Sequence, residues 1–466
     1  MTDLPVRFPR DPWCRAGSRL MLTLDDQTGE CFLGLTPDDA QPGRDMLARL
    51  SMWSGETQLP YRAKQENGSI VLRAEKGYIS LRLGMPERLI IEGKDVSLLI
   101  GKGRAAGMFM SGGSAVDDPQ PGALYVNAGA RMRILPKRGA AQVRSAWNLN
   151  ALSDPDPRIF LYPDENGTLE AAVYVTDFDV LPEETDAPEA AEEFERFLRG
   201  LTALPEDDET MHAAYVVWSC LQRPRALADP RISTPVYVSN RRTLGTAMLS
   251  DNVLMAAILA DPSEAARQMC SFLPYLAENG LLPRSVSNRS RLYEAETPMF
   301  GVVLRRRPDI LDQLGAEDYA GLARALDWWR QERWCPERWA FCYLHRYEPG
   351  FGRQDAFPSG QSEFTPVLNA CMRLWLNAMA TLAERLGKAH DAADYRAQAE
   401  NLSEALSAPE TVPEALDLPL LLAGDDAART AAAQRVRQSG REISSFRRAL
   451  GVLTAGLLER GALRAD

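Results

Sequence analysis

The chain has 466 residues, enough for two domains or for one large domain with an appendage. Its net charge of −11 argues against a nucleic-acid or anionic-membrane partner, since both would want a basic surface. Hydrophobic residues at 45% and charged residues at 25% are the ordinary balance of a soluble globular protein, and no apolar run reaches the roughly 18 residues that span a bilayer.

The opening MTDLPVRFPRDPWCRAGS lacks an apolar core and does not read as a secretory signal. The seven cysteines (14, 31, 220, 270, 335, 342 and 371) are odd in number, scattered and set in apolar patterns. They read as free thiols of a reducing cytoplasm. No CxxC pair occurs, and His212, His345 and His390 are the whole histidine complement, so neither a metal nor another cofactor is expected.

Up to about residue 184, short runs of alternating polarity are punctuated by Gly, Pro, Asn and Asp. They include RLMLTL at 19–24, GECFLGL at 29–35, SIVLRAE at 69–75, YISLRLG at 78–84, RLIIEG at 88–93, VSLLIGK at 96–102, MRILPK at 132–137, RIFLYP at 158–163 and EAAVYVTDF at 170–178. Period-two alternation at this spacing predicts antiparallel strands in a β-sandwich domain over 1–184. The Asn-Gly pairs at 67–68 and 166–167 predict hairpin turns.

The stretch TDAPEAAEEFERFLRGL has a capping residue, early acids and late bases, and predicts a linker helix within 185–205. From 206 to 466 the pattern is helical. Helices are expected near 207–222, 249–260, 262–278, 291–306, 316–332, 362–386, 390–406, 413–423, 425–438 and 443–460. AERLGKAHDAADYRAQAENLSEAL reads as a helical hairpin turning at Gly387. LSDNVLMAAILA and VLNACMRLWLNAMATLA are apolar on most faces, as inner helices of an α/α toroid would be. The expected class is therefore α+β multidomain: an antiparallel sandwich followed by a toroid of helical hairpins.

Four segments of the helical part carry a resemblance. They are PVYVSNRRTLGTAMLSDNVLMAAILADPSEAARQM at 235–269, LAENGLLPRSVSN at 276–288, EAETPMFGVVLRR at 294–306 and the loop and helix over 343–387. Together they resemble the six-hairpin glycosidases, most closely glycoside hydrolase family 63 and its mannosylglycerate hydrolase-like relatives. Asp251 falls at the family's Asp, with Ser250 where the family has Trp. Asp355 fits the general acid, and EFTPVLNA at 363–370 fits the family's "SPDLNA" run. The resemblance implies an (α/α)6-like toroid; the family's "WxGPxW" segment and its late catalytic Glu have no recognisable counterpart here, so that toroid is expected either complete or short of helices.

The resemblance implies an inverting hydrolase of an α-linked di- or oligosaccharide. Such chemistry needs two carboxyl groups about 6.5–9.5 Å apart, and an acid whose pKa is raised by an enclosed site. Asp355 is the candidate acid. Asp251 and Glu296 are candidate hydroxyl-binding acids, and both also suit the first turn of a helix. Glu363, Glu442 and Glu459 give no clear base. Trp334, Trp339, Tyr347 and Phe351 are candidate rim aromatics, since flat rings cover sugar faces. A catalytically degenerate carbohydrate-binding or structural protein is the alternative. An epimerase or lyase leaning on His345 or Tyr347 is a third reading, weakened by the scarcity of histidine. Sugar identity, linkage and oligomeric state are not fixed by the sequence.

Overall fold

The computed structural model describes residues 4–7, 10–25, 27–36, 47–66, 68–85, 87–103, 114–117, 123–127, 130–144, 156–176, 189–222, 235–241, 244–287, 290–344, 348, 364–405, 422, 426–438, 443 and 445–460. The chain forms two compact units. The first comprises Met1–Arg196, Trp218–Gln222 and Asn240–Gly245; the second comprises Phe197–Val217, Arg223–Ser239 and Thr246–Asp466.

The first unit is built on two eight-stranded sheets, antiparallel at every ladder described. One runs in the order Trp13–Cys14, Leu20–Leu24, Cys31–Leu35, Ala48–Ser54, Ser97–Lys102, Arg158–Tyr162, Ala140–Arg144, with Thr57–Leu59 paired to Ala48–Ser54. The other runs Ser114–Asp117, Ala123–Asn127, Ala130–Arg138, Thr168–Thr176, Arg88–Lys94, Tyr78–Gly84, Ser69–Arg73, Arg62–Glu66. Alternation decides which face is dry. In Tyr78–Gly84 the side chains of Ile79, Leu81 and Leu83 are buried, while Ser80 and Arg82 between them are half-exposed.

The Asn-Gly pairs divide. Glu66 pairs with Ser69, so 67–68 joins two neighbouring strands as expected, and Gly68 has φ 75°. The pair at 166–167 is a turn but not a hairpin, which corrects the expectation. Arg158–Tyr162 and Thr168–Thr176 lie in different sheets. Asp164 makes this turn by accepting from the amides of Asn166 at 3.0 Å and Thr168 at 2.9 Å.

Helices α1 (Ala190–Arg199) and α2 (Asp208–Ser219) carry the chain across the boundary between the units in sequence. Within the second unit follow α3 (Leu249–Met255), α4 (Pro262–Met269), α5 (Phe300–Arg306), α6 (Ala316–Glu332), α7 (Pro366–Arg385) and α8 (Ala389–Ala405), then the helices Asp426–Gln438 and Phe446–Glu459. Caps start several of them. Asp261 accepts from the Ser263 amide ahead of Pro262, and Thr365 accepts from the Leu368 amide ahead of Pro366. The hairpin at Gly387 is present. Gly387 has φ 72°, its amide bonds to the Glu384 carbonyl, and the Lys388 amide bonds to the Ala383 carbonyl. That is a Schellman stop, which calls for glycine.

The predicted helix 291–306 is only half correct. Arg291–Leu292 pairs as a strand with Ser285–Val286, and the helix starts at Phe300. Pro298 is unwelcome in a helix interior, and the residues before it are used for a different purpose. The predicted helix 413–423 lies outside the described residues apart from Leu422.

Helices α3 and α7 share one locking device. Asn252 of α3 accepts from the Tyr237 amide at 2.8 Å and donates to its carbonyl at 2.9 Å. Asn369 of α7 does the same with Phe341, at 2.7 and 3.0 Å. Each also donates to the carbonyl four residues back, that of Met248 or Thr365, which is the N-cap of its own helix. A side-chain amide thus stands in for a strand neighbour and satisfies buried main-chain groups. Helices α5 and α7 approach so closely that a Cβ on Gly301 would lie 2.1 Å from the Trp375 amide nitrogen. The Phe300 and Trp375 rings lie tilted to each other, 5.1 Å apart, beside that contact.

Candidate functional site

Helix α3 begins with Leu249, Ser250 and Asp251, all buried. Glu296 lies on the extended stretch before α5 and is fully buried. Its Oε2 accepts from the Ser250 amide at 3.1 Å and its Oε1 from the Ser250 hydroxyl at 2.7 Å. The third partner comes from the helix Phe446–Glu459. Arg447 donates from Nε to Asp251 Oδ1 at 2.6 Å and from Nη2 to Ser250 Oγ at 2.6 Å, with Glu296 Oε1 3.8 Å from Nη2. The Ser250 hydroxyl therefore accepts from the arginine and donates to the glutamate. Asp251, Ser250, Glu296 and Arg447 form one connected cluster within the second unit.

Arg447 is its outermost member: its side chain is 29% exposed, against 3% for Asp251 and 0% for Glu296. Burial raises the Glu296 carboxyl above the ordinary glutamate range, and the charge of Asp251 adds to that push. Arg447 and the Ser250 hydrogen bonds pull the other way without reversing it. The cluster can present hydrogen-bond donors from the guanidinium and, at Glu296, a carboxyl inclined to hold its proton.

The cluster adjoins the start of the loop that follows Tyr343. Thr297, next to Glu296, shares a 2.5 Å hydrogen bond with the buried Tyr343 hydroxyl. Just beyond, Glu348 accepts from the Leu344 amide at 2.7 Å and from Arg333 at 2.7 Å. These bonds anchor the near end of the segment that carries Asp355. Asp355 itself lies outside the described residues, as do Tyr347, Phe351, His345, Glu363 and Glu442.

Trp334 and Trp339 sit on a small hairpin, in which Trp334–Cys335 pairs with Ala340–Phe341. Their rings meet edge to face at 6.3 Å, and Trp334 meets Phe341 in the same way at 5.0 Å. Trp339 is 55% exposed and has φ 50°. A bulky residue in the left-handed region stores about 1–2 kcal/mol of strain. The hairpin thus displays an indole to solvent in a backbone state that glycine would occupy more easily.

Of the candidate residues, Asp251 and Glu296 are brought together, and Trp334 and Trp339 are brought together at a second place. Glu294, two residues before Glu296, pairs with Arg284 at 3.1 Å, and Glu459 pairs with Arg437 at 2.9 Å. Arg447 was not foreseen, though a signal existed. With Ser445 as N-cap, Arg447 and Arg448 lie in the first helical turn, where the helix dipole disfavours cations. Cations placed there imply nearby acids. Among the described residues no group of three or more His, Cys, Asp or Glu is placed to hold a metal ion, and no helix is long and apolar enough to cross a membrane.

No protein-family model matches the chain, and no curated protein matches it. Solved structures do. An inverting mannosidase of glycoside hydrolase family 92 from Bacteroides thetaiotaomicron matches with TM-score 0.50 and 12% identity, over 98% of this chain and 75% of its own. A bacterial glucoamylase in complex with acarbose matches with TM-score 0.48 and 12% identity, over 86% of this chain and 69% of its own. The first of these shares the class of fold, a β-sandwich followed by a helical domain.

Proposed function

We propose that the chain is a glycoside hydrolase of the six-hairpin type, resembling family 63, which cleaves an α-linked di- or oligosaccharide with inversion. Asp355 is the general acid in this reading. Asp251, Glu296 and Arg447 bind sugar hydroxyls, and Trp334 and Trp339 cover a sugar face. The observation that carries the reading is the convergence of Asp251 and Glu296. The first turn of α3 and the stretch before α5 deliver buried carboxyl groups to one guanidinium, next to the anchored start of the segment that follows Tyr343. The mannosidase that shares the fold is an inverting enzyme, which agrees with the stereochemistry proposed. All seven cysteines are free, in keeping with a reducing cytoplasm.

The test is a panel of 4-nitrophenyl α-glycosides and α-linked disaccharides, with the anomer released at early times read by proton NMR. Wild-type protein should release the inverted anomer. Asp355→Asn should lower kcat by about 10²–10⁴-fold, the usual contribution of a general acid. Equal turnover by the variant would remove Asp355 from the mechanism.

One observation favours a second reading, a non-catalytic carbohydrate-binding protein. Arg447 and Ser250 already engage both described carboxyl groups of the cluster, an arrangement suited to holding hydroxyls rather than activating water. Calorimetry with the same disaccharides separates the two readings: binding without turnover by the wild-type chain supports the second.

A further inference from the structure

The first unit buries a positive charge away from any described carboxylate partner. Arg241 is 3% exposed. Its Nη2 donates to the main-chain carbonyls of Ser18 and Leu20, while Nε and Nη1 have no hydrogen-bond partner. Other arginines occupy nearby acids: Arg19 grips Glu87 through two bonds of 2.7 and 2.8 Å, and Arg15 grips Glu193 at 2.9 Å. A buried guanidinium without a counter-charge is among the most unfavourable arrangements a fold can hold.

A second buried donor lies at the same place. Gln222 is 2% exposed and its Nε2 has no partner. It bridges to Gly17 in parallel, and the Gly17 amide donates to the Leu221 carbonyl at 2.8 Å. Gln222 therefore flanks Gly17, and Arg241 flanks the adjoining Ser18. Three buried donor nitrogens without a hydrogen-bond partner thus belong to two residues, Gln222 and Arg241, that both adjoin the Gly17–Ser18 peptide. Water would satisfy the donors but leave the charge uncompensated. An anion does both.

We infer that Arg241 and Gln222 bind a small inorganic anion of halide size beside the Gly17–Ser18 peptide. A single-atom anion accepts from several N–H groups at once and adds little bulk to a site enclosed by main chain. The anion acts as a structural counter-ion of the first unit, a role separate from the acid cluster of the second.

The experiment is thermal unfolding of the full chain in sodium bromide against sodium gluconate at equal ionic strength. Bromide should raise Tm saturably by about 2 °C or more, as expected for a ligand that binds only the folded state. Arg241→Met should abolish the bromide-specific rise. Gln222→Leu keeps the charge and removes one donor, so it should raise the half-maximal bromide concentration about tenfold. Should Arg241→Met fail to fold, Gln222→Leu decides. Equal Tm in the two salts, an intact bromide response in Arg241→Met, or an unchanged half-maximal concentration in Gln222→Leu would each overturn the site. Crystals soaked in bromide should show an anomalous peak within about 3.5 Å of Arg241 Nε; bromide bound only elsewhere would overturn it too.

Discussion

Arg447 reaches Asp251 across 196 residues of sequence, Nε to Oδ1 at 2.6 Å. The contact ties the last described helix to the first turn of α3. Arg447→Met leaves Asp251 and Glu296 buried without their cation, which should lower unfolding stability by about 3 kcal/mol. A urea-denaturation cycle of Arg447→Met, Asp251→Asn and the double variant should give a coupling of at least about 1 kcal/mol. Additive single effects would mean that the pair contributes nothing beyond its two members.

Glu296 sets a pH dependence of opposite sign to that of an ordinary paired carboxylate. Burial raises its folded pKa above the ordinary value of 4.5, so the folded chain holds the proton more tightly than the unfolded chain does. The resulting stabilisation is complete below about pH 4.5 and is lost as pH rises through the folded pKa. Glu296→Gln should flatten this component. Subtracting the variant's stability from that of wild type, from pH 4 upward, should give a curve that falls with pH. A flat difference would show that the carboxyl titrates alike in both states.

Gly301 is fixed by its neighbour rather than by its own backbone. Gly301→Ala places a methyl group 2.1 Å from the Trp375 amide nitrogen and forces α5 and α7 apart. Calorimetric or chemical unfolding should show a loss of about 3 kcal/mol or more. A near-neutral variant would mean that the two helices separate easily.

At Trp339 stability and binding are expected to oppose each other. Trp339→Gly relieves the left-handed strain at an exposed position and should raise stability by about 1 kcal/mol, less the added entropy of an unfolded glycine. If the indole covers a sugar face, the same change should weaken disaccharide binding roughly tenfold by calorimetry. Unchanged affinity would take Trp339 out of the binding surface.

Asn369→Leu removes the partner of both main-chain groups of Phe341. Leaving a buried amide and carbonyl unmet should lower stability by about 2–4 kcal/mol. Hydrogen exchange should show the Phe341 amide opening faster than its neighbours. Protection equal to that of wild type would mean that another acceptor replaces the side chain.

Elements whose cause is local were the legible ones. Ile79, Leu81 and Leu83 announce a strand with one dry face, and Gly387 announces the stop between α7 and α8. Arg62–Glu66 and Ala140–Arg144 were not legible because they are largely exposed strands at the ends of their sheets, with little apolar alternation to read. The helix expected over 291–306 fails where the sequence is put to a long-range use. Glu296, a candidate hydroxyl-binding acid that also suited a first helical turn, precedes the helix and accepts from Ser250. The candidate site was legible in part for the same reason. Asp251 and Glu296 stand out as acids at apolar helix starts, but their meeting depends on an arginine whose partners are distant in sequence.

The asparagine locks on α3 and α7 bear on how such a chain can drift. A helix positioned only by apolar packing rotates when its core residues change size. Asn252 and Asn369 pin the rotational phase through hydrogen bonds to main chain, which every substitution at Tyr237 or Phe341 except proline preserves. The apolar faces of these helices are then free to exchange one hydrophobic residue for another while the first turn keeps its aim. Ser250 and Asp251, two and one residues before the first of these pins, hold their direction through that exchange.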